Sequence, residues 1–157
     1  MDLQINALPA DELRRIRAQS SDDHGNPYTV RVDETGGAPL RCCLRDSRPG
    51  ERIALIAYAP LGRPGPYDEV GPVFVHAEEC SGYADPHRYP EEFRARPQVF
   101  RTYRADGSIS GGRLVQPDDD LERAAAELLA DPDVVVVHSR NIVYGCYMFA
   151  MTRPSDG

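Results

Sequence analysis

Short apolar runs separated by turn-forming residues are the feature that most limits what this chain can fold into. No run approaches the roughly 18 residues that a membrane-spanning helix needs. Gly36-Gly37 and Pro49-Gly50 are ordinary turn sequences, and Asp106-Gly107 between two apolar-rich segments is a strong hairpin signal. The pattern predicts many short strands that are joined mostly by hairpins.

The same pattern predicts the elements and their bounds. The predicted strands cover residues 28–33, 40–45, 52–58, 73–77, 99–105, 109–115, 134–139 and 143–151. One helix is predicted over 9–19, and a second begins at a cap formed by Asp118 or Asp119 and stops at Asp131-Pro132. These elements predict a single α+β domain over residues 1–157, with a mainly antiparallel sheet of about seven or eight strands and two helices. The sheet is mixed if the strands on either side of the second helix are parallel neighbours.

Charge narrows the classes of function. The net charge is −7, and all 18 basic residues are arginines. Without lysine, Schiff-base chemistry, pyridoxal-phosphate attachment and a phosphate-loop lysine are excluded. Arginines alternate with aromatic residues over 93–104, as they do in single-strand nucleic-acid binders. Strand alternation divides these residues between two faces, and the surrounding chain is acidic, so no nucleic-acid partner is predicted.

The N-terminal residues lack the continuous apolar run of a signal peptide, so the protein is predicted to be cytoplasmic, with no membrane partner. Neither a dinucleotide-binding glycine motif nor a phosphate loop occurs, and no cofactor is predicted. The sequence leaves open whether the protein forms a homo-oligomer.

Cysteine spacing predicts free thiols rather than a disulfide framework or a metal site. The cysteines are Cys42, Cys43, Cys80 and Cys146, and the histidines are His24, His76, His87 and His138. If residues 40–45 form a strand, Cys42 and Cys43 point to opposite faces and do not share a zinc ion. The sequence therefore predicts no metal site.

The closing segment contains the densest set of reactive side chains. His138 is a candidate acid or base, Arg140 a candidate anion clamp and Asn141 a candidate oxyanion donor. On a regular strand His138 and Arg140 share one face, and Asn141 takes the other. Cys146 is a candidate nucleophile with His138 as its base. The alternatives are a turn whose polar groups satisfy the backbone and a cysteine that packs in the core.

Other candidates lie on separate segments. Cys42 is a second candidate nucleophile, or else a packing residue. Arg101 and Tyr103 share a strand face that suits a carboxylate or phosphate. His76 lines a pocket at a strand end or is a structural histidine, and Tyr67 closes over a ligand or anchors its loop. Glu51 is a candidate general base, but it is interpreted as a solvated turn carboxylate.

Several segments resemble one family. They are RCCLRD with PGERIALIAY, GPYDEVGPVFVH, RTYRADGSISGG and the closing VVVVHSRNIVYGCYMFA. The chain from about Leu40 onward is similar to the family of proteins catalogued as domain of unknown function 1203. The resemblance implies a bacterial protein of one domain and assigns no substrate.

The combined hypothesis is a small, cofactor-independent enzyme of isomerase, cyclase or hydrolase type. It would act on a small polar or anionic molecule through a His/Arg/Cys pocket. The alternatives are a non-catalytic small-ligand-binding or protein-interaction domain, and a thiol-based sensor that uses Cys42 and Cys43.

Overall fold

The computed structural model describes residues 2–155, which contain ten strands, two α-helices and one short 3-10 helix. The strands are β1 Gln4–Asn6, β2 Val30–Asp33, β3 Pro39–Leu40, β4 Arg45–Asp46, β5 Glu51–Tyr58, β6 Gly71–His76, β7 Gln98–Tyr103, β8 Ile109–Val115, β9 Val136–Asn141 and β10 Tyr147–Thr152. The α-helices are α1 Ala10–Gln19 and α2 Leu121–Leu129, and the 3-10 helix is Glu91–Phe93. No helix within 2–155 is both long enough and apolar enough to cross a bilayer.

The strands form two five-stranded sheets. The first sheet has the order β1-β10-β9-β7-β8 and is antiparallel throughout. The second has the order β2-β5-β6-β3-β4, in which β3 and β6 are parallel. The predicted α+β class and the two helices are confirmed, but the strands number ten and belong to two sheets. The strands before and after α2 are β8 and β9. They are not neighbours, because β8 pairs with one side of β7 and β9 with the other.

Each sheet builds its own core. The amphipathic helix α2 buries Leu121, Ala125 and Leu129 against the first sheet. Asp120, rather than the predicted Asp118 or Asp119, caps this helix by accepting a hydrogen bond from the Arg123 amide. In the second core, α1 packs against β5 and β6.

The predicted strand over 40–45 is wrong. Residues 41–44 form turns between two-residue strands, and Leu44 has a left-handed φ of 59°. Leu40 is buried in the second core and Leu44 in the first, so the chain must turn between them. Arg41, in the same turn, is buried and donates from Nε to the Tyr147 carbonyl at 2.8 Å, which ties the turn to the first sheet. Cys42 and Cys43 therefore do not point to opposite faces of a strand.

Candidate functional site

The first group of predicted site residues meets on one face of the first sheet. In the register of β7 and β9, Arg101 lies opposite His138, and Arg140 follows two residues later. Side chains that are opposite each other or two residues apart on a strand share a face. The prediction that His138 and Arg140 share a face is confirmed.

Both arginines approach the carboxylate of Glu69, which lies in the loop before β6. Arg101 Nη1 donates to Glu69 Oε1 at 2.7 Å, whereas Arg140 Nη1 lies 3.6 Å from Oε2. Arg140 Nη1 donates instead to the Gly145 carbonyl at 2.9 Å. Gly145 has a φ of 71°, a conformation that suits glycine and lets the β9–β10 turn direct this carbonyl toward Arg140.

We call the space beside Arg140 the arginine cleft. It has a volume of about 210 Å³ and is lined by Tyr58, Pro60, Glu69, Val70, Gly71, Pro72, Arg140, Tyr144, Gly145, Cys146 and Tyr147. The Arg140 side chain is only 8% exposed, and its Nε has no hydrogen-bond partner among residues 2–155. A buried guanidinium with an unpaired donor is costly unless something else pairs with it.

His138 is covered rather than presented to the cleft. It is 2% exposed, with the Tyr103 ring centroid 4.6 Å from its own and the Tyr147 ring centroid at 5.0 Å. Burial, helped by the charges of Arg140 and Arg101, lowers the pKa of His138 to about 3. Its Nδ1 lacks a hydrogen-bond partner within the described part of the chain. The imidazole is thus neutral at pH 7 and shielded, which argues against its predicted role as acid or base.

The lowered pKa of His138 predicts a pH-dependent stability. In the unfolded chain the imidazole takes up a proton below about pH 6.5, whereas the folded protein resists protonation until about pH 3. The unfolded state then binds more protons in this window, so stability falls as the pH falls, by up to about 1.4 kcal/mol per pH unit. Urea unfolding of wild type and His138→Leu at pH 7 and pH 5 measures the effect. Between pH 7 and pH 5 the wild type should lose more free energy of unfolding than the variant does. An equal loss in the two proteins would contradict a buried neutral imidazole.

The other predicted partners of His138 lie apart from it. Ala150 is the residue opposite His138 on β10, and Cys146 Sγ lies 3.9 Å from the carbonyl of Tyr144. The structure therefore does not join Cys146 to its predicted base. Asn141 is used structurally, because its Oδ1 accepts from Gln98 Nε2 at 2.8 Å.

The two predicted tyrosines also do not line the cleft. Tyr103 is buried against His138, and its hydroxyl accepts from Arg101 Nη1 at 3.3 Å. Tyr67 is 44% exposed and lies with Asp106 and Gly107 at the β7–β8 turn. Tyr144, which sequence reasoning did not select, lines the cleft instead and is 87% exposed.

A second group consists of residues from two distant stretches of the sequence and lies apart from the arginine cleft. Cys42, Cys43, His76 and Cys80 place one sulfur or nitrogen atom each within 4.8 Å of all the others, and we call them the Cys/His cluster. Cys42 Sγ lies 3.9 Å from Cys43 Sγ, and His76 Nδ1 lies 3.5 Å and 3.7 Å from these sulfurs. The turn at 41–44 supplies two thiols, the end of β6 supplies the imidazole, and the following loop supplies Cys80.

The far side of the His76 ring is held by an ion pair. His76 Nε2 lies 2.9 Å from Glu51 Oε2, and Arg45 donates to both oxygens of Glu51 at 2.8 Å. The Arg45 guanidinium lowers the pKa of Glu51 well below its ordinary value. Because an ionised carboxylate can only accept, this contact assigns the ring proton to Nε2, and the Nδ1 lone pair then faces Cys42 and Cys43. The interpretation of Glu51 as a solvated turn residue is wrong.

Cys42 is suited to packing or ligation rather than to nucleophilic attack on its own. It is buried, and the adjacent Cys43 thiol together with burial raises the pKa of Cys42. The amide of His76 donates to Cys42 Sγ at 3.3 Å. A cleft of about 660 Å³ opens beside the cluster, and Cys43, His76 and Cys80 line it together with Arg45, Tyr83 and Arg88.

One sequence signal could have found this cluster. His76 and Cys80 are separated by three residues, a spacing typical of the second ligand pair of zinc sites. The assumption that residues 40–45 form a strand concealed it, because that strand would have parted Cys42 from Cys43.

Comparison with known proteins supports the family resemblance. No curated protein and no solved structure matches the chain. The family model described as "Protein of unknown function (DUF1203)" matches residues 37–153, which include the arginine cleft and the whole Cys/His cluster. The chain belongs to the DUF1203 family.

Proposed function

We propose that the protein binds a small anionic molecule, of the carboxylate or phosphate class, in the arginine cleft. The observation that carries this proposal is the state of Arg140. Its guanidinium is buried, its Nε is unpaired among residues 2–155, and its nearest carboxylate oxygen is 3.6 Å away, beyond hydrogen-bond distance. An anion in the cleft could replace the long ion pair with Glu69 by a closer, charge-assisted contact to the Arg140 guanidinium.

Glu69 supports the proposal because its carboxylate already occupies a position between the two arginines that a ligand anion could take. It contacts Arg101 directly, approaches Arg140 and is about half exposed on its loop. A ligand carboxylate or phosphate could take its place between the two arginines once the loop moves outward. The cleft volume of about 210 Å³ equals the share of roughly seven liquid water molecules, so it suits a small ligand.

Binding without catalysis fits the cleft better than the predicted cofactor-independent enzyme. His138 is shielded by two tyrosine rings, and Glu69 is the only carboxylate among the described residues that line the cleft. The Glu69 carboxylate is already engaged by Arg101, which donates to it at 2.7 Å. Burial raises the pKa of Tyr58 to about 12, so that phenol is a poor acid near neutral pH. For the cleft to catalyse a reaction, His138 would have to be exposed or Glu69 freed from Arg101.

The proposal is tested by titrating the full chain with inorganic phosphate and with succinate, followed by NMR amide shifts. We expect saturable shifts in the β9–β10 turn and in the loop that carries Glu69. Arg140→Gln should weaken binding at least about tenfold, because a hydrogen bond to a charged group is worth about 1.5–3 kcal/mol. Glu69→Gln should tighten binding several-fold, since it removes the competing charge.

Arg113→Gln is the matched control. Arg113 lies on β8, pairs with Glu127 and is 40% exposed, so the variant changes net charge equally without touching the cleft. Equal affinities for Arg140→Gln and Arg113→Gln would show that any binding is non-specific and would overturn the proposal. So would the absence of shifts with both anions.

A further inference from the structure

We propose that Cys42, Cys43, His76 and Cys80 bind one Zn²⁺ ion as a tetrahedral Cys₃His centre. Zinc–sulfur bonds are about 2.3 Å and zinc–nitrogen bonds about 2.0–2.1 Å, so tetrahedral ligands lie about 3.8 Å apart for two sulfurs and about 3.5–3.6 Å apart for sulfur and nitrogen. The Cys42–Cys43 sulfurs are 3.9 Å apart, and His76 Nδ1 lies 3.5 Å and 3.7 Å from them. Cys80 Sγ needs only a small closing movement, because all four atoms already lie within 4.8 Å.

The partner of His76 is an independent argument for a metal. Histidines that bind metals usually donate their other ring N–H to a carboxylate or carbonyl, which sets the tautomer and the ring orientation. Glu51 provides this contact at 2.9 Å from Nε2, and Arg45 in turn holds Glu51 through both carboxylate oxygens. A packing histidine does not require such a chain of contacts behind it.

Charge also fits the ion. Three thiolates and one Zn²⁺ leave a net charge of −1 at the centre. Arg45 lies beside the cluster, with its Nη2 3.1 Å from His76 Nε2, and its positive charge is shared between Glu51 and the centre. Arg88 lines the same cleft and adds a second positive charge nearby. The His76 amide, which donates to Cys42 Sγ at 3.3 Å, would further stabilise the thiolate once the thiol proton leaves on binding.

The ligand set favours zinc over harder cations and indicates a structural role. Thiolates and imidazole suit zinc, whereas magnesium and calcium prefer oxygen ligands. Four protein ligands close the coordination sphere and leave no position for substrate. Cys43, His76 and Cys80 line the open cleft of about 660 Å³, which provides a path for the ion to enter.

The position of the centre explains what the ion would stabilise. His76 ends β6 of the second sheet, and Cys80 lies in the loop that leads to Tyr89 and Phe93 of the first core. Zinc would therefore fasten this loop to the second sheet and hold the two cores together. The turn at 41–44 is fastened at the same point.

The test is the metal content of the full chain, purified under reducing conditions from cells grown with added zinc. We expect one zinc per chain by mass spectrometry of the metal. Replacement with Co²⁺ should give the visible absorption of tetrahedral cobalt with a thiolate charge-transfer band. Cys43→Ser and Cys80→Ser, at partly exposed positions, should each lower zinc affinity by more than about 100-fold. This loss is larger than the roughly 10–100-fold expected when only a residue that orients a ligand is removed.

Two further variants make the test specific. Glu51→Gln should keep one zinc per chain but bind it about 10–100-fold more weakly, because only the orientation of His76 is lost. Cys146→Ser removes the cysteine outside the cluster and should leave both stoichiometry and affinity unchanged. If a cluster variant fails to fold, metal-free wild type should still take up one zinc per chain in competition with a chromogenic chelator.

Several results would overturn the assignment. They are a wild-type chain that takes up no zinc under reducing conditions, zinc retained in full by both cluster variants, and a coloured centre that contains iron and sulfide. A disulfide between Cys80 and Cys42 or Cys43 in a metal-free protein would also overturn it and would favour a thiol-based sensor instead.

Discussion

Withdrawal of zinc with a chelator is expected to lower the thermal midpoint of the wild-type protein by roughly 8–16 °C. A ligand that binds only the folded state stabilises it by about 4.1 kcal/mol when its free concentration is 1,000 times the dissociation constant. For a chain of this length each kcal/mol shifts the midpoint by about 2–4 °C. Calorimetry in excess zinc and in excess chelator measures the difference.

The matched control is Cys80→Ser, which lacks one ligand. Its midpoint should differ by no more than about 3–6 °C between zinc and chelator, because zinc bound at least 100-fold more weakly contributes at most about 1.4 kcal/mol under the same conditions. Cys146→Ser should respond as wild type does. Equal midpoints for wild type in the two conditions would contradict a zinc centre that holds the loop to the second sheet.

Replacement of Phe149 with alanine is expected to lower the free energy of unfolding by about 3–5 kcal/mol. Phe149 is fully buried on β10, with its ring edge-on to Tyr89 at 5.2 Å between centroids and stacked on Phe93 at 6.3 Å. The change removes these contacts and leaves a cavity where the loop after β6 joins the first sheet. Urea unfolding monitored by circular dichroism measures the loss.

Leu114→Ala is the control, because Leu114 is 55% exposed on β8. It should change stability by less than about 0.5 kcal/mol, as most surface substitutions do. A loss below about 1 kcal/mol for Phe149→Ala would show that this part of the first core collapses around the cavity or is loosely packed.

The sequence predicts one His/Arg/Cys pocket, but the predicted residues lie in two separate places, the arginine cleft and the Cys/His cluster. The density of reactive side chains in the closing segment makes His138 a candidate acid or base, yet the apolar strand that carries it buries it between Tyr103 and Tyr147. Cys42 and His76 were selected as pocket residues of the arginine site, whereas they form a separate cluster on the second sheet.

Local periodicity in the sequence determined the helices, most of the longer strands and the shared face of His138 and Arg140. These features depend on residues close in number, and the alternation of a strand carries them without reference to the rest of the chain. The split into two sheets, the burial of His138 and the meeting of Cys42, Cys43, His76 and Cys80 were decided only by the tertiary structure. Leu40 and Leu44 show the physical reason: each enters a different core, and the turn that this forces brings two neighbouring thiols to one histidine.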